Sequence, residues 1–294
     1  MKLINKIYNY FSLVKFSHTI FALPFALLGF FLGCSTVGNI INYKLFLLML
    51  LCMVFARTAA MSFNRFIDKD IDYKNPRTAS REIPRKVITP SNALIFCIIN
   101  CILFVISTFC INRLCFYLSF VALTVVLFYS LTKRFTSLSH IVLGIGLSLS
   151  PIGAYLVVTG HFAVLPVLFS VIVLFWTSGF DILYSLQDEK FDREEKLNSI
   201  PARFGYKRSL YLSELFHLIS VTFVIFAGIS GGFGLFYRIG VVCFISMLIY
   251  QHFMVRKQGL TIINLYFTKI NGYASLIFSF FVITDILHYS FKYF

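Results

Sequence analysis

Ten of the chain's 12 acidic residues fall in two short segments, and their spacing is the first sign of chemistry. The first segment reads Asn64-Arg65-Phe66-Ile67-Asp68-Lys69-Asp70-Ile71-Asp72, with Glu82 following it. Asn64, Asp68 and Asp72 recur at every fourth position, which places them within about 80° on one face of a helix. The second segment carries Asp181, Asp188, Glu189, Asp192, Glu194 and Glu195. Asp188 and Asp192 repeat the i, i+4 pair, and Asp181 shares their face if the helix runs on. Carboxylates gathered in this way repel one another unless cations lie between them. An oxygen-only set with no His or Cys nearby suits a hard ion such as Mg²⁺. That ion keeps a few protein carboxylates and completes its shell with water and phosphate oxygens. Basic residues run through both segments: Arg65, Lys69, Lys74, Arg77, Arg81, Arg85 and Lys86, then Lys190, Arg193 and Arg203. They fit an anionic substrate. One segment alone reads as a solvated loop of mixed charge; two matched pairs favour a metal held by Asp68, Asp72, Asp188 and Asp192.

These residues are set in a chain that belongs in lipid. Of 294 residues, 59% are hydrophobic and 13% charged, and the mean hydropathy is +0.84. Soluble chains are nearer 45–50% apolar and about 25% charged. An ordinary cytosolic enzyme, a disordered chain and a secreted disulfide scaffold are thereby excluded. Apolar runs at about 17–38, 45–64, 91–111, 114–132, 138–158, 162–184, 209–230, 239–255 and 270–289 are long enough to cross a bilayer. The expected fold is an all-α polytopic membrane protein of nine transmembrane helices, forming a single domain over 1–294. The first run, preceded by Lys2, Lys6 and Lys15, imitates a signal peptide, but eight further spans argue against cleavage. Seven cysteines lie in or beside apolar runs without metal-ligand spacing and read as free thiols.

The net charge of +14 is mostly topology rather than a sign of nucleic acid. With nine spans, 21 Lys and Arg residues share the side of the N-terminus and 4 lie opposite, while Arg57 is inside a span. That bias puts the N-terminus and both acidic segments on the cytoplasmic side. The Asp pairs are 120 residues apart and each follows an even-numbered span. The pattern fits a pseudo-repeat of two halves, about 1–134 and 135–294. Arg57 lies seven residues before Asn64, on its face and about 10 Å deeper. A charge at that depth costs about 2.5–3.5 kcal/mol on insertion scales, so a functional role is its default reading. Tyr129 and Lys133 close the fourth span at i, i+4 on the same side; Lys133 alone also reads as a positive-inside anchor.

The ordered set of motifs resembles the UbiA superfamily of intramembrane aromatic prenyltransferases. The resemblance rests on Asn64-x3-Asp68-x3-Asp72, on Pro76-Arg77-Thr78-x2-Arg81, on Tyr129-x3-Lys133-Arg134, and on Asp188-x3-Asp192 preceded by Phe180-Asp181. It covers nearly the whole chain and is nearest the 4-hydroxybenzoate polyprenyltransferase branch, which Leu23-Pro24-Phe25 and Ser199-Ile200-Pro201-x2-Phe204-Gly205 also resemble. The resemblance implies nine helices around a central cavity, open to lipid and capped by the two polar loops. It implies that Asn64 and the four aspartates bind Mg²⁺ and diphosphate, that Arg77 and Lys133 contact the diphosphate beside Tyr129, and that Arg57 reads the acid group of an aromatic acceptor. Glu189 departs from relatives that carry further aspartates there.

The expected reaction is Mg²⁺-dependent transfer of a polyprenyl group from its allylic diphosphate to an aromatic acid, with Asp188 or Asp181 keeping the acceptor phenol electron-rich. The acceptor class is 4-hydroxybenzoate, on the route to ubiquinone, or a dihydroxynaphthoate, on the route to menaquinone. The lipid bilayer, expected to be a bacterial inner membrane, and the two substrates are the expected partners. A transporter and a non-catalytic diphosphate-binding protein are the rival classes. Transport sites lie near the bilayer midplane, whereas these acids gather at one face.

Overall fold

The computed structural model describes residues 2–15, 21–259 and 263–292. Twelve helices account for most of them: α1 (Lys2–Leu13), α2 (Leu23–Thr36), α3 (Tyr43–Ile67), α4 (Lys69–Lys74), α5 (Pro90–Phe109), α6 (Arg113–Thr132), α7 (Ser139–Thr159), α8 (Val164–Ser185), α9 (Glu189–Glu194), α10 (Ile200–Ser230), α11 (Leu235–Gln258) and α12 (Ile263–Lys292). Among the described residues, eight helices are long and apolar enough to cross a membrane, and α2 is a shorter apolar ninth. The architecture is the expected all-α polytopic membrane fold. Residues 17–20 of the first expected span lie outside the described residues. α2 begins only at Leu23, where Pro24 occupies the first turn, a position in which its missing N–H costs nothing. The helix α1 is an addition to the sequence reading, which treated the N-terminus only as a source of charge.

Helix starts follow local chemistry. Asn42, Thr89, Asn112 and Ser199 accept hydrogen bonds from backbone N–H groups in the first turns of α3, α5, α6 and α10. α10 starts nine residues before the expected span because Ser199 caps it and Pro201 fits its first turn. Gly205, at φ 76° and ψ 172°, then kinks it. The short piece before the kink supports the second acidic segment, since Arg193 Nε donates to the carbonyl of Ala202 at 2.9 Å.

Two groups of helices, α3–α5–α6–α7 and α8–α10–α11–α12, meet where α7 packs on α8. α2 joins them by lying on both α7 and α12. The largest core cluster includes Phe25, Phe169, Trp176, Phe180, Phe244 and Phe278, all almost fully buried. Residues such as Ile95, Ile98, Ile102, Ile106 and Phe109 on α5 point outward instead. Outward apolar faces of this kind suit lipid tails rather than water. Small residues let the helices approach closely. Ser213 Oγ donates to the carbonyl of Gly179 at 2.7 Å and Ser220 Oγ to that of Ile172 at 3.0 Å, tying α10 to α8. At the α2–α7 crossing, a Cβ on Gly29 would lie 2.0 Å from the carbonyl oxygen of Pro151.

This crossing predicts a contrast. Gly29→Ala should destabilise the protein by about 1–3 kcal/mol through overpacking. Gly153→Ala should leave stability unchanged, because a Cβ there meets nothing within 4 Å. Thermal unfolding of the two variants in detergent checks this, and equal midpoints would contradict the packing described.

Candidate active site

The two acidic segments take the same local shape. α3 ends at Ile67, and Asp68 caps the junction to the six-residue α4 at φ −91° and ψ 9°. α8 ends at Ser185, and a short 3₁₀ turn, Leu186–Asp188, leads into the six-residue α9. Asp188 stands at that junction at φ −97° and ψ 1°. In each case a long apolar helix breaks at the first aspartate and the second aspartate, Asp72 or Asp192, is buried within the short helix.

The loops are joined to each other. Arg77 Nε and Nη2 donate to the two oxygens of Asp188 at 2.9 and 2.6 Å, and Asn75 Nδ2 donates to Asp188 Oδ1 at 3.2 Å. Arg77 Nη1 also donates to the Tyr184 hydroxyl at 2.8 Å. Lys74 Nζ and Glu195 Oε2 form an outer ion pair at 2.6 Å. Within the first loop, Arg81 Nη1 donates to both oxygens of Asp72 at 2.6 and 2.8 Å. Asn64 Nδ2 donates to Asp68 Oδ2 at 2.8 Å, and Arg65 donates to Asn64 Oδ1 at 3.0 Å. α6 contributes from the side: Lys133 Nζ is 3.7 Å from Asp192 Oδ2, and Arg134 Nη2 is 3.5 Å from Asp68 Oδ1.

A 3₁₀ turn lies between Asp181 and Asp188, and although both act on Lys133 they take different hydrogen-bond partners. Asp188 goes with Arg77, while Asp181 Oδ2 pairs with His140 Nδ1 at 2.6 Å. Tyr129 stands near both Asp181 and Asp68. Arg57 is set apart from the acids: Nη2 donates to the carbonyl of Lys15 at 3.2 Å, and its buried Nε has no hydrogen-bond partner among the described residues.

The site sets buried carboxylates among several fixed cations. Asp72, Asp188 and Asp192 are 4%, 6% and 2% exposed. Burying charges is expensive even when they are paired, so stability alone is a weak reason for the arrangement. Burial, and next the charge of Asp72, hold the Asp68 carboxyl above its usual range despite Lys133, Arg134 and Arg65. Burial works against the charge on Lys133, but Asp192, Asp188, Asp181 and Asp68 outweigh it and raise its pKa. The buried Asp192 Oδ2 accepts no hydrogen bond. Among the described residues, no three carboxylate, imidazole or thiol side chains converge as a closed metal cage. The donors present are carboxylate and amide oxygens, a set that suits a hard cation such as Mg²⁺, which completes its shell with water and phosphate oxygens.

Asn75, Tyr184, Arg81, Arg134 and His140 join the site without having been singled out for roles from sequence. Some signals were there: Tyr184 lies four residues before Asp188, and Asn75-Pro76-Arg77 forms a turn in which Asn75 Oδ1 accepts the Arg77 N–H at 2.9 Å. His140 is an ionisable residue in an apolar run.

Residues 22–272 match the model of the UbiA prenyltransferase family. The chain belongs to that family, and it is a membrane-embedded polyprenyltransferase. It is 29% identical over 209 residues to a 4-hydroxybenzoate octaprenyltransferase of Francisella tularensis subsp. mediasiatica, covering 71% of this chain and 73% of the relative. A 4-hydroxybenzoate octaprenyltransferase of Tolumonas auensis is 27% identical over 217 residues, covering 74% of this chain and 76% of the relative. A UbiA homologue from Aeropyrum pernix K1, solved in its apo form, superposes with a TM-score of 0.81 at 28% identity over 91% of this chain and 98% of the other. An Archaeoglobus fulgidus UbiA homologue bound to GPP and Mg²⁺ shares the fold with a TM-score of 0.74 at 20% identity, over 94% and 99%.

The raised Asp68 carboxyl makes a signed prediction. A carboxyl whose folded pKa lies above its unfolded value costs stability as pH rises toward that folded pKa, and the cost is complete above it. Asp68→Asn should therefore raise the thermal midpoint of the ligand-free protein at pH 7, with the gain vanishing in acid. A lower midpoint at pH 7 would show that Asp68 is adequately neutralised by the protein's own cations.

Proposed function

We propose that this enzyme transfers a polyprenyl group from an allylic polyprenyl diphosphate to the ring of an aromatic acid, 4-hydroxybenzoate foremost, in respiratory quinone synthesis. The observation that carries the reading is the bonding of the two acidic loops face to face, through Asp188 with Arg77 and Asn75. The names of the octaprenyltransferase relatives support the acceptor and donor classes. The charge bias supports placing the N-terminus and both loops on the cytoplasmic side of the membrane.

Asp68, Asp72, Asp188 and Asp192, with Asn64 beside them, would hold Mg²⁺ together with the diphosphate. Mg²⁺ bound there would offset charge on the departing diphosphate. Arg77 and Lys133 add positive charge from two sides, and Tyr129 lies beside Asp181 and Asp68. Fixed charges of this kind stabilise the leaving group without having to reorganise. The allylic C–O bond breaks with its electron pair going to the diphosphate, the ring carbon ortho to the phenol forms the new C–C bond, and that carbon gives up its proton. Asp181, or Asp188, keeps the phenol electron-rich while this happens. Arg57 supplies the acceptor's acid group with a guanidinium whose Nε bonds no described residue.

Membranes containing the protein should convert labelled polyprenyl diphosphate and an aromatic acid to a prenylated acid, with EDTA stopping the reaction and Mg²⁺ restoring it. Asp68→Ala and Asp188→Ala should abolish turnover while the protein stays inserted; normal activity in either contradicts the reading. Across a panel of acids, product from a dihydroxynaphthoate but none from 4-hydroxybenzoate would move the acceptor to the menaquinone class. Arg57→Ala should raise the acceptor KM well above any change in the donor KM, and equal effects would remove Arg57 from the acceptor site.

A further inference from the structure

Asp181 stands apart from the other acids of the site. Asp68, Asp72, Asp188 and Asp192 each lie within ion-pair distance of a lysine or arginine. Among the described residues, Asp181 has His140 as its one such neighbour. His140 is fully buried at the start of α7, and Asp181 lies near the end of α8. The ring bridges to a third helix. The N–H of Ile200, the first residue of α10, donates to His140 Nε2 at 3.4 Å. That N–H is one of the donors a helix start leaves without an internal partner. With Nε2 accepting, the ring proton sits on Nδ1 and is donated to Asp181 Oδ2 at 2.6 Å. Ser199, just before Ile200, caps the same helix start, and Asn198 N–H donates to the Lys133 carbonyl at 2.7 Å.

We propose that His140 is a positioning residue for the transfer reaction: held between the Ile200 N–H and Asp181, its ring fixes Asp181 so that the second carboxylate oxygen faces the acceptor hydroxyl. A guanidinium in its place would occupy both oxygens, as Arg77 does on Asp188, and would make the carboxylate a weaker acceptor. An imidazole N–H takes one oxygen and leaves Oδ1 without a hydrogen bond from any described residue. A hydroxyl donating to that oxygen keeps its ring electron-rich as the C–C bond forms. The link to Ile200 also ties this carboxylate to the segment that carries Asp188 and Asp192, so acceptor and diphosphate are held in one register. The proposal rests on the functional reading above and adds to it the means by which Asp181 is aimed.

The test measures kcat and both KM values in membranes for wild type, His140→Leu, His140→Asn, Asp181→Asn and the double variant His140→Leu/Asp181→Asn. The Asn amide places an N–H donor near the position of Nδ1. His140→Leu should lower kcat by about tenfold or more, part of what acid–base groups contribute, with the donor KM unchanged. His140→Asn should recover most of the loss, and His140→Leu should cost nothing further once Asp181 is Asn. Wild-type kcat in His140→Leu overturns the proposal. So does equal failure of the Leu and Asn variants, whether in turnover or in accumulation, because that marks a packing role alone. Additive losses in the double variant overturn it as well. A wild-type enzyme that makes no prenylated acid overturns the functional reading, and this proposal with it.

Discussion

The structure depends on one electrostatic problem: carboxylates from two loops are buried against each other at the edge of a membrane. Their mutual repulsion has to be offset locally, because little water reaches Asp72, Asp188 and Asp192. The protein answers with guanidinium groups at hydrogen-bond distance and with Lys133 and Arg134 at the end of α6. The balance is uneven: burial and then Asp72 raise the Asp68 carboxyl, burial at Asp188 is outweighed by Arg77, which lowers that carboxyl, and Asp192 Oδ2 has Lys133 at 3.7 Å but accepts no hydrogen bond from a described residue.

The helices are arranged to bring those loops together. α3 and α8 end at the same face, break at Asp68 and Asp188 with nearly the same backbone angles, and continue as short helices of equal length. Close crossings at Gly29 and through Ser213 and Ser220 hold the long helices that support them. α10 reaches past the apolar stretch to its cap at Ser199, and its kink at Gly205 lets the first turn meet the second loop. Rigid spans thus position polar loops that would otherwise be free to separate.

Much of this was legible in the sequence because lipid simplifies the code. A span needs about 20 apolar residues, so the spans stand out as long runs, and scarce charges mark the exceptions. Eight expected spans coincide with long helices, the ends differing by a few residues except at α10 and α12. Capping chemistry at Ser199 and Pro201 set the early start of α10, and hydrophobicity does not report caps. The aspartate spacing located both loops, but 3.6-residue periodicity assumed a continuous helix between Asp181 and Asp188. A 3₁₀ turn lies between them, and they take different partners, Arg77 and His140. Contacts such as Arg77 with Asp188, or His140 with Asp181, span 111 and 41 residues and depend on packing that no local pattern encodes.

The two loops are proposed to act together on a metal-bound diphosphate. This joint action is tested most directly by titrating the purified protein with a non-reactive polyprenyl diphosphate analogue, with and without Mg²⁺, in wild type, Asp68→Asn and Asp188→Asn. Tight binding only when Mg²⁺ is present, lost when either loop is altered, is the result the account predicts. Binding of equal strength without Mg²⁺, or binding that survives the loss of one loop's aspartate, would contradict it.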